Sequence, residues 1–172
     1  MRRILLLLVA VAILALPAAA AARPKTPLAV GFLVVHNAST DGGITGRPVA
    51  TVAVQGFVIG HIGEQGRVEI YHYSGSTSGA QVSGNDLSRE PVFYHGQSGT
   101  KYTGSDFRFR AVGGVWRVVV YGAGVSLYAG GVFRKVSLHG SVYGGKDGHY
   151  AFDGGRFRSM PEGVVTRRMR AT

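Results

Sequence analysis

The sequence predicts an all-β protein: a single Gly-rich, mainly antiparallel β-sandwich or partly open barrel, with a short β-solenoid as the alternative. Three observations predict it. Between Tyr102 and Met160, aromatic and β-branched side chains alternate with basic or polar ones, the two-residue period of a half-buried strand. Gly pairs interrupt these runs roughly every eight to twelve residues, as turns do in all-β chains. The 27 glycines also coexist with eight Phe, eight Tyr and one Trp. Disordered chains are poor in aromatics, so glycine here is expected to supply turns with positive φ.

Met1 to Ala22 has the form of a secretory signal peptide. Arg2 and Arg3 make a positive n-region, Ile4 to Leu16 an apolar run, and Ala20-Ala21-Ala22 a small-residue cleavage site after Pro17. The apolar run is short for a bilayer helix, which needs roughly 20 residues. The sequence therefore predicts export with cleavage and no integral membrane span afterwards. A Pro-containing linker, residues 23–27, follows.

A single domain is expected over residues 28–161, built of about ten short strands. The first strand is Leu28 to Val35, nearly all apolar. Asp41-Gly42-Gly43 turns the chain. Pro48 to Gln55 and Phe57 to Ile62 read as two strands separated by Gly56. Arg67 to Tyr73 alternates, with Val68, Ile70 and His72 on one face and Arg67, Glu69, Tyr71 and Tyr73 on the other. Ser74 to Arg89, rich in Ser, Gly and Asn, reads as a surface loop. Pro91 to His95 is a short strand and Gly96 to Gly104 a second loop.

From Asp106 the pattern is strongest. Phe107, Phe109 and Ala111 share a face opposite Arg108 and Arg110; after Gly113-Gly114, Trp116, Val118 and Val120 oppose Arg117, Val119 and Tyr121. Val125 to Tyr128 and Phe133 to His139 are separated by Gly130-Gly131. Tyr150 to Asp153 and Arg156 to Met160 form a hairpin closed by Asp153-Gly154-Gly155, Asp-Gly being favoured in tight hairpin turns. The predicted core is Phe107, Phe109, Trp116, Val118, Val120, Val125, Leu127, Val136, Leu138, Tyr150 and Phe152. Residues 162–172 read as a basic flexible tail carrying Arg167, Arg168 and Arg170. A Val-polar-aliphatic-ring pattern recurs at residues 68–71, 125–128 and 136–139, and this echo is what supports the solenoid alternative.

The run Phe107-Arg108-Phe109-Arg110, Gly113-Gly114 with Trp116-Arg117, and the closing Tyr150 to Pro161 segment resemble the C-terminal half of a group of uncharacterised exported all-β bacterial proteins. The resemblance spans about residues 101–161. It implies export and an all-β fold, and assigns no activity and no site residues.

Composition narrows the chemistry. The chain has no cysteine, which excludes disulfides, thiolate metal sites and cysteine nucleophiles. Nineteen basic residues face nine acidic ones, a formal charge of +10. The six histidines, His36, His61, His72, His95, His139 and His149, show no His-x-His or His-x-x-x-His spacing; only His139 and His149, flanking a loop with Asp147, have any prospect of converging. No metal site and no cofactor is expected. Gly-Ser-Thr-Ser-Gly at 75–79 places Thr77 where a nucleophile elbow needs Ser and lacks the strand-to-helix context.

What remains is a cationic sheet face. Arg108, Arg110, Arg117, Arg134, Lys135, Arg156 and Arg158 recur at strand spacing, and guanidinium groups make planar, multi-donor contacts with carboxylate and phosphate. Tyr121 and Tyr128 are candidates to join that face. The expected function is a non-enzymatic exported module that meets anionic cell-envelope polymer or lipid head groups; nucleic acid is not expected. The alternatives are a secreted hydrolase with a site borne on the Ser74–Thr100 loops, and a structural, self-associating envelope protein. The bland reading of the same cations is a solvated face whose arginine stems cover aromatics and blunt strand edges.

Overall fold

The computed structural model describes residues 30–73, 79–141, 148–161 and 165–167. The expected signal peptide and linker lie outside these residues, as does most of the expected tail. Eight strands are present: β1 (Val30–Ala38), β2 (Ala50–His72), β3 (Ala80–Tyr94), β4 (Gln97–Gly122), β5 (Val125–Leu138), β6 (His149–Phe152), β7 (Arg158–Ser159) and β8 (Val165–Arg167). A 3-10 turn, Gly43–Thr45, lies between β1 and β2.

The strands form one sheet in the order β3-β4-β2-β5-β1-β6-β7, with β8 on β5 beyond the reach of β1. Every ladder is antiparallel. The all-β, antiparallel expectation holds. The architecture is one sheet not closed into a barrel, rather than two packed sheets or a solenoid. β8 falls where the sequence predicts a flexible tail.

Strand length is the main departure from the expected pattern. The sequence predicts about ten short strands; β2 has 23 residues, β4 has 26 and β3 has 15. Residues 80–89 and 97–104, both expected to be loops, belong to β3 and β4. The glycines at 56, 113–114 and 130–131 do not end strands. They lie inside them, at points where the ladder slips or backbones approach. Gly113 shows why. Gly56 pairs with Gly114 and Phe57 with Val112, so Gly113 is the extra residue of a bulge, with φ of 71°. Positive φ at a bulge favours glycine.

Alternation along the long strands sorts side chains into two faces. Val52, Val54, Val58 and Ile62 of β2, Phe107, Phe109, Ala111, Trp116, Val118 and Val120 of β4, and Val125, Leu127, Phe133, Val136 and Leu138 of β5 are buried and form one cluster with Leu33 and Val35 of β1. Among the described residues no helix covers this face. A single sheet can remove it from water only by rolling its apolar side inward, using the natural twist of strands and the extra bend of bulges.

The pairing records that roll. Residues 65–71 of β2 pair with residues 99–105 of β4 on one edge, and residues 66–72 pair with residues 116–122 of β4 on the other, so Val68 lies between Tyr102 and Val120. β4 thus wraps around the far end of β2. The predicted core residues are all buried except Phe152, which is half-buried at the end of β6.

Candidate functional site

The outer face is the solvated side of the rolled sheet. Across β4, β2, β5 and β1, cross-strand pairing sets its residues in rows. One row is Val112, Phe57, Gly130 and Phe32; the next is Arg110, Ile59, Tyr128 and Val34; the third runs Arg108, His61 and Ser126, with His36 beyond the register break in β1. A shallow groove of about 360 Å3 lies over the last two rows, bordered by Ile59, Tyr128, His61, His36, Ser126 and Arg108.

Local order holds these groups in place. His61 Nε2 lies 2.7 Å from Asp106 Oδ1. Asp106 sits at the bend of β4 with φ of 46°, a conformation that Asp tolerates better than most residues. Ser126 Oγ accepts a hydrogen bond of 3.1 Å from the Asn37 amide, which ties β5 to the irregular end of β1. The Phe32 amide donates to Asp153 Oδ1 at 2.8 Å, and the Asp153 amide donates to the Phe32 carbonyl at 2.9 Å. The residue expected to make only a hairpin turn therefore also anchors an outer-face aromatic.

The seven predicted cations do not gather in one cluster. Arg108 and Arg110 stand exposed two residues apart on the outer face of β4, without a carboxylate in ion-pair distance among the described residues. Arg117, further along the same face, is spent on aromatics: its guanidinium lies 3.7 Å from the Tyr94 ring centroid and 5.2 Å from that of Tyr71. Lys135 is exposed on β5, across Ala53 from Arg117. Arg134 is the extra residue of a bulge in β5 and lies 5.7 Å from the Tyr73 ring. Arg156 and Arg158 are exposed at the β7 end of the sheet, away from the others in strand order.

A second outer-face network is internal. Tyr71 donates to Glu69 Oε2 at 2.9 Å, Glu69 Oε1 lies 3.3 Å from Arg67 Nε, and Arg67 covers Tyr121 at 3.7 Å. Lys101 pairs with Glu90 at 2.5 Å. Burial pushes the Tyr71 phenol up, and the hydrogen bond to Glu69 and that carboxylate's charge push it further. Tyr121, a candidate to join the cationic face, is thus already covered by Arg67, whereas Tyr128 is half open.

Among the described residues no three His, Asp or Glu side chains converge as metal ligands. The cross-strand partner of His149 is His36. His139 is buried, its amide donating to the Val49 carbonyl. Residues 74–78, which include Thr77, lie outside the described residues. Ser98 stands on β4 opposite Phe93. Most of the Ser74–Thr100 stretch, expected to be mostly loop, is hairpin: residues 80–94 and 97–100 are strand.

Residue-by-residue reading of the sequence missed Phe32, Ile59, His61 and Ser126 as site residues. The signal was present in part: Phe32 precedes buried Leu33, and Ile59 lies between buried Val58 and core-facing Gly60, so strand parity turns both outward. Nothing in the sequence alone shows that three separate strands bring them together. No helix among the described residues is long and apolar enough to cross a membrane. No family model matches this chain, and neither do any curated protein or any solved structure.

Proposed function

We propose that the domain is a non-enzymatic binding module that holds anionic polymer of the cell envelope against its outer face, with Arg108 and Arg110 as the principal contacts. One observation carries the reading. Of the basic side chains on this face, Arg67, Lys101 and Arg117 are engaged with Glu69, Glu90 and Tyr94, whereas Arg108 and Arg110 point to solvent beside a groove. A pair of unengaged guanidinium groups on a rigid strand is pre-organised for carboxylate or phosphate. The surplus of positive charge brings such a polymer to the surface from a distance. The signal-like pattern at residues 1–22 supports a setting outside the cytoplasm, where such polymers are found.

The test is calorimetric titration of the purified protein with a polyanion at rising salt. Binding should weaken steeply as ionic strength shortens the screening length from about 10 Å at 0.1 M. Replacing Arg108 and Arg110 together by Gln should reduce affinity about three- to thirtyfold, the range for two exposed ion pairs, with the melting curve unchanged. Binding that ignores both salt and this double substitution would refute the proposal.

A further inference from the structure

The groove carries more than charge. In the first row, Gly130 has no side chain, and Phe57 and Phe32 close over it from the two flanking strands: a Cβ there would stand 2.7 Å from the Phe57 ring and 2.8 Å from the Phe32 ring. Tyr128, one row on, stacks with Phe32 at 5.8 Å between centroids and 6° between planes, and meets Phe57 at 5.3 Å. This arrangement covers a glycine and stiffens the sheet. It nevertheless leaves Phe32 45 %, Tyr128 42 % and Ile59 45 % exposed in one continuous patch. Beside the patch stand Ser126, His61 and Arg108.

An exposed aromatic patch with a hydrogen-bonding border matches a particular chemistry. A pyranose ring presents a C–H face that packs on aromatic rings, and hydroxyl groups at its rim that need donors and acceptors. Polyphosphate and simple head groups such as phosphoglycerol or phosphoethanolamine have no such face. A nucleic-acid strand has stacking faces, but it also carries a full charge on every phosphate, whereas this patch is bordered by two arginines, Arg108 in the groove and Arg110 across from Ile59. We infer that the outer face of β1, β5 and β2 is a sugar-ring platform for an acidic polysaccharide, a uronate ring lying on Phe32 and Tyr128 with its carboxylate turned to Arg108. The inference deepens, and rests on, the anionic-polymer reading above.

The experiment compares polygalacturonate with polyphosphate at equal charge concentration, and oligothymidylate as a third probe, using the purified protein and its Phe32→Leu/Tyr128→Leu variant. Leucines keep apolar cover over Gly130 and remove the flat rings. Polygalacturonate should bind most tightly and retain measurable affinity at a salt concentration that releases polyphosphate. The variant should lose about tenfold on polygalacturonate and nothing on polyphosphate, with an unchanged melting curve. Equal loss on both polymers, or no loss on either, overturns the sugar platform and leaves the anionic reading standing. Oligothymidylate binding as tightly as polygalacturonate, through the same two rings, also overturns it. If neither polyanion binds, both readings fall.

Discussion

At Gly60 the inner face of the sheet has no room for a methyl group: a Cβ would lie 2.2 Å from Cζ of Phe109, its cross-strand partner. The Phe109 ring is itself 2 % exposed and packed on every side. Overpacking of this kind costs about 1–3 kcal/mol. Gly60→Ala should therefore lower the urea midpoint without changing the slope of the transition. Phe109→Leu in the same chain should recover part of the loss, since the two sites share one space. Additive losses would show that the ring is not what fills the gap.

Tyr71 makes a pH-dependent contribution. Its phenol is held protonated in the fold by burial and by Glu69, whereas in the unfolded chain it ionises near its ordinary value of about 10. The folded state thus retains a proton that the unfolded state gives up. The resulting stability is whole below about pH 10 and is lost as the pH climbs from there toward the higher value in the fold. Denaturation at pH 9 and pH 11 should show this decline, and Tyr71→Phe should flatten it. An equal decline in both proteins would assign the effect to another group.

At the scale of the element, the contrast is between β2 and β3. Residues 66–71 have β4 on both edges, so their amides on either side are within ladders. β3 pairs with β4 on one edge and ends the strand order on the other. Pro91 sits inside β3, which only an edge strand tolerates comfortably, and Asp86, with φ of 56°, lies in a bulge that bends the edge. Both features discourage pairing with another copy. Amide exchange should find every residue from Arg67 to Tyr71 protected, and alternate residues only from Ser88 to Tyr94. Protection of every amide along β3 would mean that a further strand covers it in solution.

At the scale of the whole molecule, the faces were legible and the curvature was not. The alternation from Phe107 to Val120 put Phe107, Phe109, Trp116, Val118 and Val120 inward, and each is buried. Local pattern has that power because a two-residue period belongs to any strand, whatever its neighbours. It cannot tell a glycine that ends a strand from one that lets a strand bulge or lie close to another, since Gly serves both ends. For that reason Gly113 and Gly130 read as turns, and β4 and β5 as broken. The site suffered more. Arg108 and Arg110 announced themselves by their spacing, but Phe32, Ile59 and Tyr128 come from β1, β2 and β5 and meet only through the register of the ladders.

The partners of β1 are β5 and β6, those of β2 are β4 and β5, and that of β3 is β4; among the described residues these first three strands form no ladder with one another. A ribosome that has reached Tyr94 has therefore made β1, β2 and β3 and none of the described strands with which they form ladders. β4 supplies the first ladders of β2 and β3, and β1 finds its partners only in β5 and β6. Until then the apolar side chains of β1 and β2 lack the partners that cover them in the finished sheet.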